Sequence, residues 1–323
     1  MQDTRHLFII GAPKAGTSTL AQMLAEHPAI HQGAIKEPRF FTDFATRSWT
    51  GPGSRDFERS MVTDLPSYRA LYAGAARGSM WLDASTDYLS NGAARDRLVA
   101  LARDNCVKLI CLLRDPVDRI VSEYQHTLRD LLETESLRES LLREPARMRD
   151  GWQPLFWHRR RSTYHADVTA YRAAFGDDLL MLDFAELRDP SRIAARIYDF
   201  LGLSPADQGS AASADPDANM RNKSHSYRSP YLQRALKNRT LRHAARQVTP
   251  RRLRHWLGQH LARANRTQFH PTEADLRAIH AALADDIRAC LDDPGIPTES
   301  WTLARRLTQA AGQSPAPICG QTP

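Results

Sequence analysis

Short apolar runs alternate along this chain with longer stretches in which apolar residues recur at helical spacing. Residues 7–10 (LFII), 80–83 (MWLD), 107–113 (VKLICLL) and 179–183 (LLMLD) are strand candidates, and the third suits a central strand buried on both faces. Helical periodicity begins at Thr17, where Leu20, Met23 and Leu24 share one face. It returns over 68–72, from Pro116 onward, and over 133–149, 164–175, 193–201 and 280–291. Asp115 has the character of an N-cap with Pro116 in the first helical position, and Gly202 that of a C-cap after Leu201. Strands alternating with helices predict an α/β fold, a P-loop-like parallel β-sheet flanked by helices on both sides. The pattern predicts a single domain over residues 1–301, whose C-terminal part, 221–301, is basic and helical. Residues 302–323, with Gly, Pro, Gln and Ser, are expected to form a loosely ordered tail.

Composition adds a compartment and a charge asymmetry. Hydrophobic content of 42% and charged content of 25% over 323 residues belong to a soluble globular protein with a sizeable core. No apolar run approaches the roughly 20 residues of a spanning helix. The apolar segment of MQDTRHLFIIGAPK is too short for a signal peptide, so the expected compartment is the cytoplasm. Cys106, Cys111, Cys290 and Cys319 have neither metal-ligand spacing nor a disulfide framework, and no metal is expected. The net charge of +7 is local: residues 221–266 hold thirteen Lys and Arg and no acid, leaving 31 basic against 37 acidic residues elsewhere. That segment suits an anionic partner, such as an anionic acceptor or peripheral contact with an anionic membrane surface, or else solvated helix faces. Sparse aromatics and the lack of a recognised binding motif make nucleic acid an unlikely partner. The sequence gives no reading of oligomeric state.

The most informative stretch is LFIIGAPKAGTSTL, from residue 7 to residue 20. A strand enters a loop holding Gly11, Pro13, Lys14, Ala15 and Gly16, and a helix follows with Thr17, Ser18 and Thr19 at its entrance. Strand, glycine-bearing loop and helix turn backbone N–H groups and the positive end of a helix onto a phosphate or sulfate. Lys14 adds a mobile cation. In the nucleotide-kinase loop GxxxxGK[ST] the lysine follows the second glycine; here Thr17 stands there and Lys14 lies inside the loop. A second candidate anion site combines Arg114, at the end of the 107–113 strand, with Ser122, eight residues later and two helical turns beyond the Asp115 cap. Arg119 between them reads as a helix-surface residue.

GAPKAGTSTL resembles the 5′-phosphosulfate-binding loop of sulfotransferases that use 3′-phosphoadenosine 5′-phosphosulfate (PAPS), and Arg114 with Ser122 is similar to that family's 3′-phosphate-binding pair. The resemblance covers roughly residues 7–301 and is nearest to the glycan and heparan sulfate enzymes. It implies the sulfotransferase fold and PAPS as donor. KEPRFF, residues 36–41, is similar to the family segment that supplies the general base, which makes Glu37 the residue taking the acceptor's proton. Many glycan sulfotransferases have a catalytic lysine where Ala84 stands here, leaving Lys14 and Lys36 as the nearby cations. Asp83 and Ser85, in DASTDYL, are candidates to orient the acceptor, Asp83 being equally well a structural carboxylate at a strand end. Residues 45–79 read as an insertion covering the site, and 184–187 with Asp189 and Pro190 as a supporting element of the fold. Trp157 before His158, Arg159, Arg160 and Arg161 suits a sugar face beside an anionic group, or a packed aromatic cluster beside a solvated basic run. An asparagine- and basic-rich loop closes over the cofactor in the family, which singles out Asn222, Lys223, Ser224 and Arg228. The expected acceptor is a hydroxyl, less readily an amine, of a carbohydrate, a glycolipid or a secondary metabolite. A nucleotide-dependent kinase and a non-catalytic PAPS- or nucleotide-binding protein are the alternatives.

Overall fold

The structure is a computed structural model and describes residues 4–204, 226–227, 266–267 and 269–312. Five strands, β1 (Arg5–Gly11), β2 (Ile30–Gln32), β3 (Met80–Asp83), β4 (Cys106–Leu113) and β5 (Leu179–Asp183), pair in parallel in the order β2-β3-β1-β4-β5. The centre of the sheet is its most apolar part: Leu7 to Ile10 and Leu109 to Leu113 are all fully buried. Helices cover both faces: α1 (Thr17–Ala25), α2 (Ser54–Arg59), α3 (Leu65–Ala70), α4 (Gly92–Ala102), α5 (Pro116–Arg129), α6 (Leu137–Arg149), α7 (His165–Phe175) and α8 (Pro190–Leu201). Two C-terminal helices follow, α9 (Glu273–Asp292) and α10 (Thr302–Gly312). Ser226–Tyr227 and Arg266–Thr267 pair antiparallel.

Because every pairing is parallel, the strands end on one edge of the sheet. Phe8 is level with Asp83, and Leu113 with Asp183. The register between β1 and β4 slips after Ile9, and the Ala12 amide then donates to the Leu112 carbonyl at 2.6 Å. The segment after β3 stays beside β1, its Leu89 amide donating to the Ile10 carbonyl at 2.9 Å.

Three expectations change. Strand β2 has only three residues on an edge and carries no run long enough to be read from the pattern. Helix α6 starts at Leu137, capped by Ser136, because Glu133 turns inward to take both Nη1 and Nη2 of Arg147, at 2.6 and 3.0 Å. Thr302–Gly312 is a helix rather than the start of a loose tail. Its Ala304 and Leu307 are buried beside the fully buried Trp301, and the Ala304 amide donates to Asp115 Oδ2 at 2.9 Å. The residues that suggested disorder, 313–323, lie outside the described ones.

Candidate active site

Glycine determines the geometry of the first loop. Gly16 is the N-cap of α1 with φ +84°, and a Cβ there would sit 2.4 Å from Leu187 Cδ1. With no cap side chain, the first-turn amides of α1 have no intrahelical acceptor and, among the described residues, no side-chain partner. Gly11 is constrained by approach instead, since a Cβ would stand 2.7 Å from Leu89 Cβ and 3.3 Å from the Thr86 carbonyl oxygen. Between them Pro13 and Ala15 are buried, and Thr17 and Ser18 open the helix. Lys14 has φ +65° and, among the described residues, no carboxylate within ion-pair distance. Burial lowers its ammonium to about 8; Glu123 opposes that shift, while Arg129, Arg119 and Arg114 reinforce it.

The second loop meets the first. Arg114 Nη1 donates to the Lys14 carbonyl at 3.1 Å, and its guanidinium lies 4.8 Å over the Phe184 ring. Phe184 and Leu187 also flank Gly16, so the turn after β5 supports both loops. Arg114 Nε is buried without a partner among the described residues, a donor left for a ligand. Asp115 Oδ1 caps α5 by accepting from the amides of Val117 and Asp118. Ser122 is half-buried two turns along that helix. One turn further, His126 is near enough to Lys14 for the ammonium to assist burial in lowering it to about 4.

Arg119 is fully buried rather than on the helix surface. It donates from Nη2 to Glu123 Oε2 at 2.7 Å and to the His158 carbonyl at 2.8 Å, and from Nε to Ser162 Oγ. Both ends of the basic run 158–161 are inside as well: His158 is fully buried and Arg161 nearly so, while Arg159 is exposed and Arg160 half-buried. Their acidic partners come from other elements, which a local charge pattern cannot reveal.

Glu37 stands at a kink, with φ +59° and Arg39 at +55°. Its carboxylate accepts from Lys36 Nζ at 2.9 Å and Arg39 Nη2 at 2.8 Å, with Thr86 Oγ1 at 3.4 Å. Burial alone would raise its pKa, but the charges of Arg39, Lys36 and Arg161 outweigh that and hold it below the usual carboxylate range. Thr86 therefore touches Glu37 through its side chain and adjoins Gly11 through its carbonyl.

The acceptor candidates divide differently. Lys36 is exposed beside Glu37. Asp83 and Ser85 are buried: Asp83 accepts from Ser85, Tyr88 and Tyr68 at 2.7, 2.7 and 3.2 Å, and desolvation pushes it up to about 6. Ser85 Oγ also accepts from the Arg39 amide at 3.0 Å, so this pair forms the floor beneath Glu37 rather than a surface for an acceptor. Trp157 packs with Phe44, Trp49 and Phe57 and donates to the Trp152 carbonyl at 2.9 Å, which makes it part of an aromatic cluster instead of an open sugar platform. Ala84 is buried. Asn222, Lys223, Ser224 and Arg228 lie outside the described residues. Arg39, Asp87, Glu123 and Arg161 carried no signal of their own in the sequence. The one visible feature was the basic run 158–161, which suits either an anion contact beside a sugar face or a solvated run.

A model of the sulfotransferase family matches residues 6–207. Over 200 residues the chain is 29% identical to heparan sulfate glucosamine 3-O-sulfotransferase 3B1 of Mus musculus, covering 60% of this chain and 45% of that protein. It is 30% identical over 154 residues to carbohydrate sulfotransferase 15 of Mus musculus, covering 37% of this chain and 26% of that one. The chain thus spans less than half the length of these curated relatives. The crystal structure of a sulfotransferase from Alicyclobacillus acidocaldarius superposes with a TM-score of 0.59 at 33% identity, covering 67% of this chain and 89% of that one. With the family match extending over well more than half its length, through the loops at Lys14 and Arg114, Glu37 and helix α5, the chain belongs to the sulfotransferase family.

Proposed function

We propose that this chain transfers a sulfuryl group from PAPS to a hydroxyl of a carbohydrate-like acceptor. The observation that carries the reading is the contact between Arg114 and the Lys14 carbonyl, which joins two anion-binding loops 100 residues apart in sequence. The uncapped α1 N-terminus, the carboxylate-free Lys14 and the unpartnered Arg114 Nε fit a ligand anionic at two places. Lys14 and the α1 amides would hold the 5′-phosphosulfate, and Arg114 and Ser122 the 3′-phosphate. When bound, PAPS supplies an activated sulfuryl group on a phosphate leaving group.

Lys14 brings positive charge to the departing oxygen, and in a partly desolvated loop that charge counts for more than in water. Glu37 accepts the acceptor's proton. Its two cationic neighbours keep it ionised at neutral pH at the expense of basicity. Low basicity suffices, because a hydroxyl becomes more acidic as its oxygen bonds to sulfur. Both curated relatives named above act, by their names, on sugars, and that supports the acceptor class.

Calorimetric titration of the purified protein with adenosine 3′,5′-bisphosphate, with ATP–magnesium as competitor, tests the donor site. Binding of the bisphosphate is expected to weaken roughly 10- to 100-fold in Arg114→Ala. Glu37→Gln is expected to bind it normally while losing roughly 10²–10⁴-fold in transfer from PAPS. Binding of ATP–magnesium alone would overturn the reading in favour of a kinase.

A further inference from the structure

A line of alternating charges leads away from Glu37 into the protein. Glu37 Oε2 meets Arg39 Nη2 at 2.8 Å, and Arg39 Nε donates to Asp87 Oδ2 at 2.7 Å. Asp87 Oδ1 faces Arg161 Nη2 at 2.9 Å in an ion-pair contact without hydrogen-bond alignment. Arg161 Nη1 donates to Glu123 Oε1 at 2.6 Å, and Glu123 Oε2 is held by Arg119 at 2.7 Å with His158 Nδ1 at 3.1 Å. Side chains at the inner end are almost wholly buried: Asp87 is 2% exposed, Arg161 6%, Glu123 1% and Arg119 0%. The residues come from four places in the chain: the kink after β2, the segment after β3, helix α5 and the turn before α7.

We infer that Arg39, Asp87 and Arg161 are positioning residues for Glu37, fixing its carboxylate against helix α5 through Glu123. The inference rests on the proposed role of Glu37 as base. Arg39 alone would make a loose clamp, because a single exposed ion pair holds geometry weakly. Here the guanidinium is gripped from several sides. Its Nη1 donates to Ser60 Oγ at 3.1 Å and to the Glu37 carbonyl at 3.2 Å, its amide donates to Ser85, and its plane lies 5.2 Å from the Phe57 ring centre. Asp87 fixes the far side, and Arg161 prevents Asp87 from turning. Glu123 anchors the line in the helix that carries Ser122 as the residue just before it. The charges facing Glu37 are Lys36 and Arg39 from its own segment, Asp83 from the end of β3 and Arg161 from the turn before α7.

Arg161 is the residue to change, since its loss leaves Asp87 with Arg39, and Glu123 with Arg119 and His158. In Arg161→Gln, Asp87 keeps Arg39 as its one remaining cation among the described residues, and Glu37 loses both a distant positive charge and part of its clamp. Both effects act in one direction. The acid limb of kcat/KM is expected to move up. The kcat is expected to fall roughly 10- to 100-fold, as for a misplaced catalytic group. Affinity for adenosine 3′,5′-bisphosphate should change far less than kcat. Arg161→Lys keeps the charge and should restore the acid limb while recovering only part of kcat. If Arg161→Gln does not fold, Arg39→Lys tests the same line nearer the surface: its single ammonium cannot serve Glu37 and Asp87 together, and the acid limb should again rise. A folded Arg161→Gln or Arg39→Lys with the wild-type pH profile and kcat would overturn the inference. Glu37→Gln run alongside separates the two claims, because full transfer by that variant removes Glu37 as base whatever the others do.

Discussion

Lys14, Glu37 and Arg39 all hold left-handed backbone conformations, with φ of 65°, 59° and 55°. For side chains of this size such a conformation costs on the order of 1–3 kcal/mol, and it persists where surrounding contacts over-determine it. For Lys14 the contact is Arg114 on its carbonyl; for Arg39 it is Ser85 on its amide. Lys14 also titrates within reach of an assay. With its ammonium lowered to about 8, the free enzyme loses that cation above this pH, so kcat/KM is expected to fall along an alkaline limb near pH 8. Lys14→Arg, charged throughout, should move the limb out of the measurable range, and a pH–rate profile of both proteins checks it. His6 gives a stability prediction. Its ring is fully buried between Phe8 and Trp81, with neither nitrogen partnered among the described residues, and burial lowers it to about 4. The unfolded chain takes up a proton near 6.5 and the folded one not until about 4, so stability falls as pH drops through that window, by at most on the order of 3 kcal/mol. His6→Phe should flatten this dependence and raise the melting temperature below pH 6.5, as read by thermal unfolding across pH. Lys14 and Arg114 were legible in the sequence because their meaning is local: a loop between a strand and a helix, an arginine at a strand end. Arg161 was not, because its acids Glu123 and Asp87 lie 38 and 74 residues away, and a basic side chain is expected in water unless such a partner is known. Arg119 has Glu123 one turn along its own helix, but the His158 carbonyl that helps bury it lies 39 residues away.

Helix α5 does more than any other element. It begins beside Arg114, carries Ser122, buries Arg119 and Glu123, and ends with Arg129 after His126. Its start was legible because Asp115-Pro116 is a strong local signal, and the structure has both residues in the expected places. What the sequence could not show is that Asp115 serves two elements. Oδ1 caps α5, while Oδ2 accepts from the Ala304 amide in the first turn of α10. Asp115→Ala is expected to destabilise the fold by ~1–2 kcal/mol, toward the upper end of a cap deletion because a second buried amide loses its acceptor. Asp115→Asn should recover part of that, and urea unfolding of the three proteins measures it. The same logic explains the tail. Helix α10 has periodic apolar positions, but Gly, Pro, Gln and Ser beyond them dominate the composition, and the reason it is ordered lies 189 residues upstream.

At the scale of the whole molecule, the part matching the family model is covered by a C-terminal part beyond it. Asp286 accepts from the amides of Tyr164 and His165, at 2.8 and 2.9 Å, Arg172 Nη1 donates to both oxygens of Asp293, and the Ser300 amide and hydroxyl reach Asp183. The parallel sheet and its flanking helices were legible, since buried strands are written as near-continuous apolar runs. The strand order was not, because pairing between non-neighbours in sequence leaves no local trace. That order sets how long each half of the site survives partial opening. The loop of Lys14 leaves β1, which has a strand on each side, whereas Glu37 follows β2, a three-residue edge strand with one neighbour. Amides of Leu7 to Ile10 should exchange with solvent only through global unfolding, and those of Ile30 to Gln32 through smaller, more frequent openings. Under rising urea, well before the global midpoint, transfer should fade while bisphosphate binding persists. Following both signals with amide exchange would show a molecule that forgets its chemistry before it loses its grip.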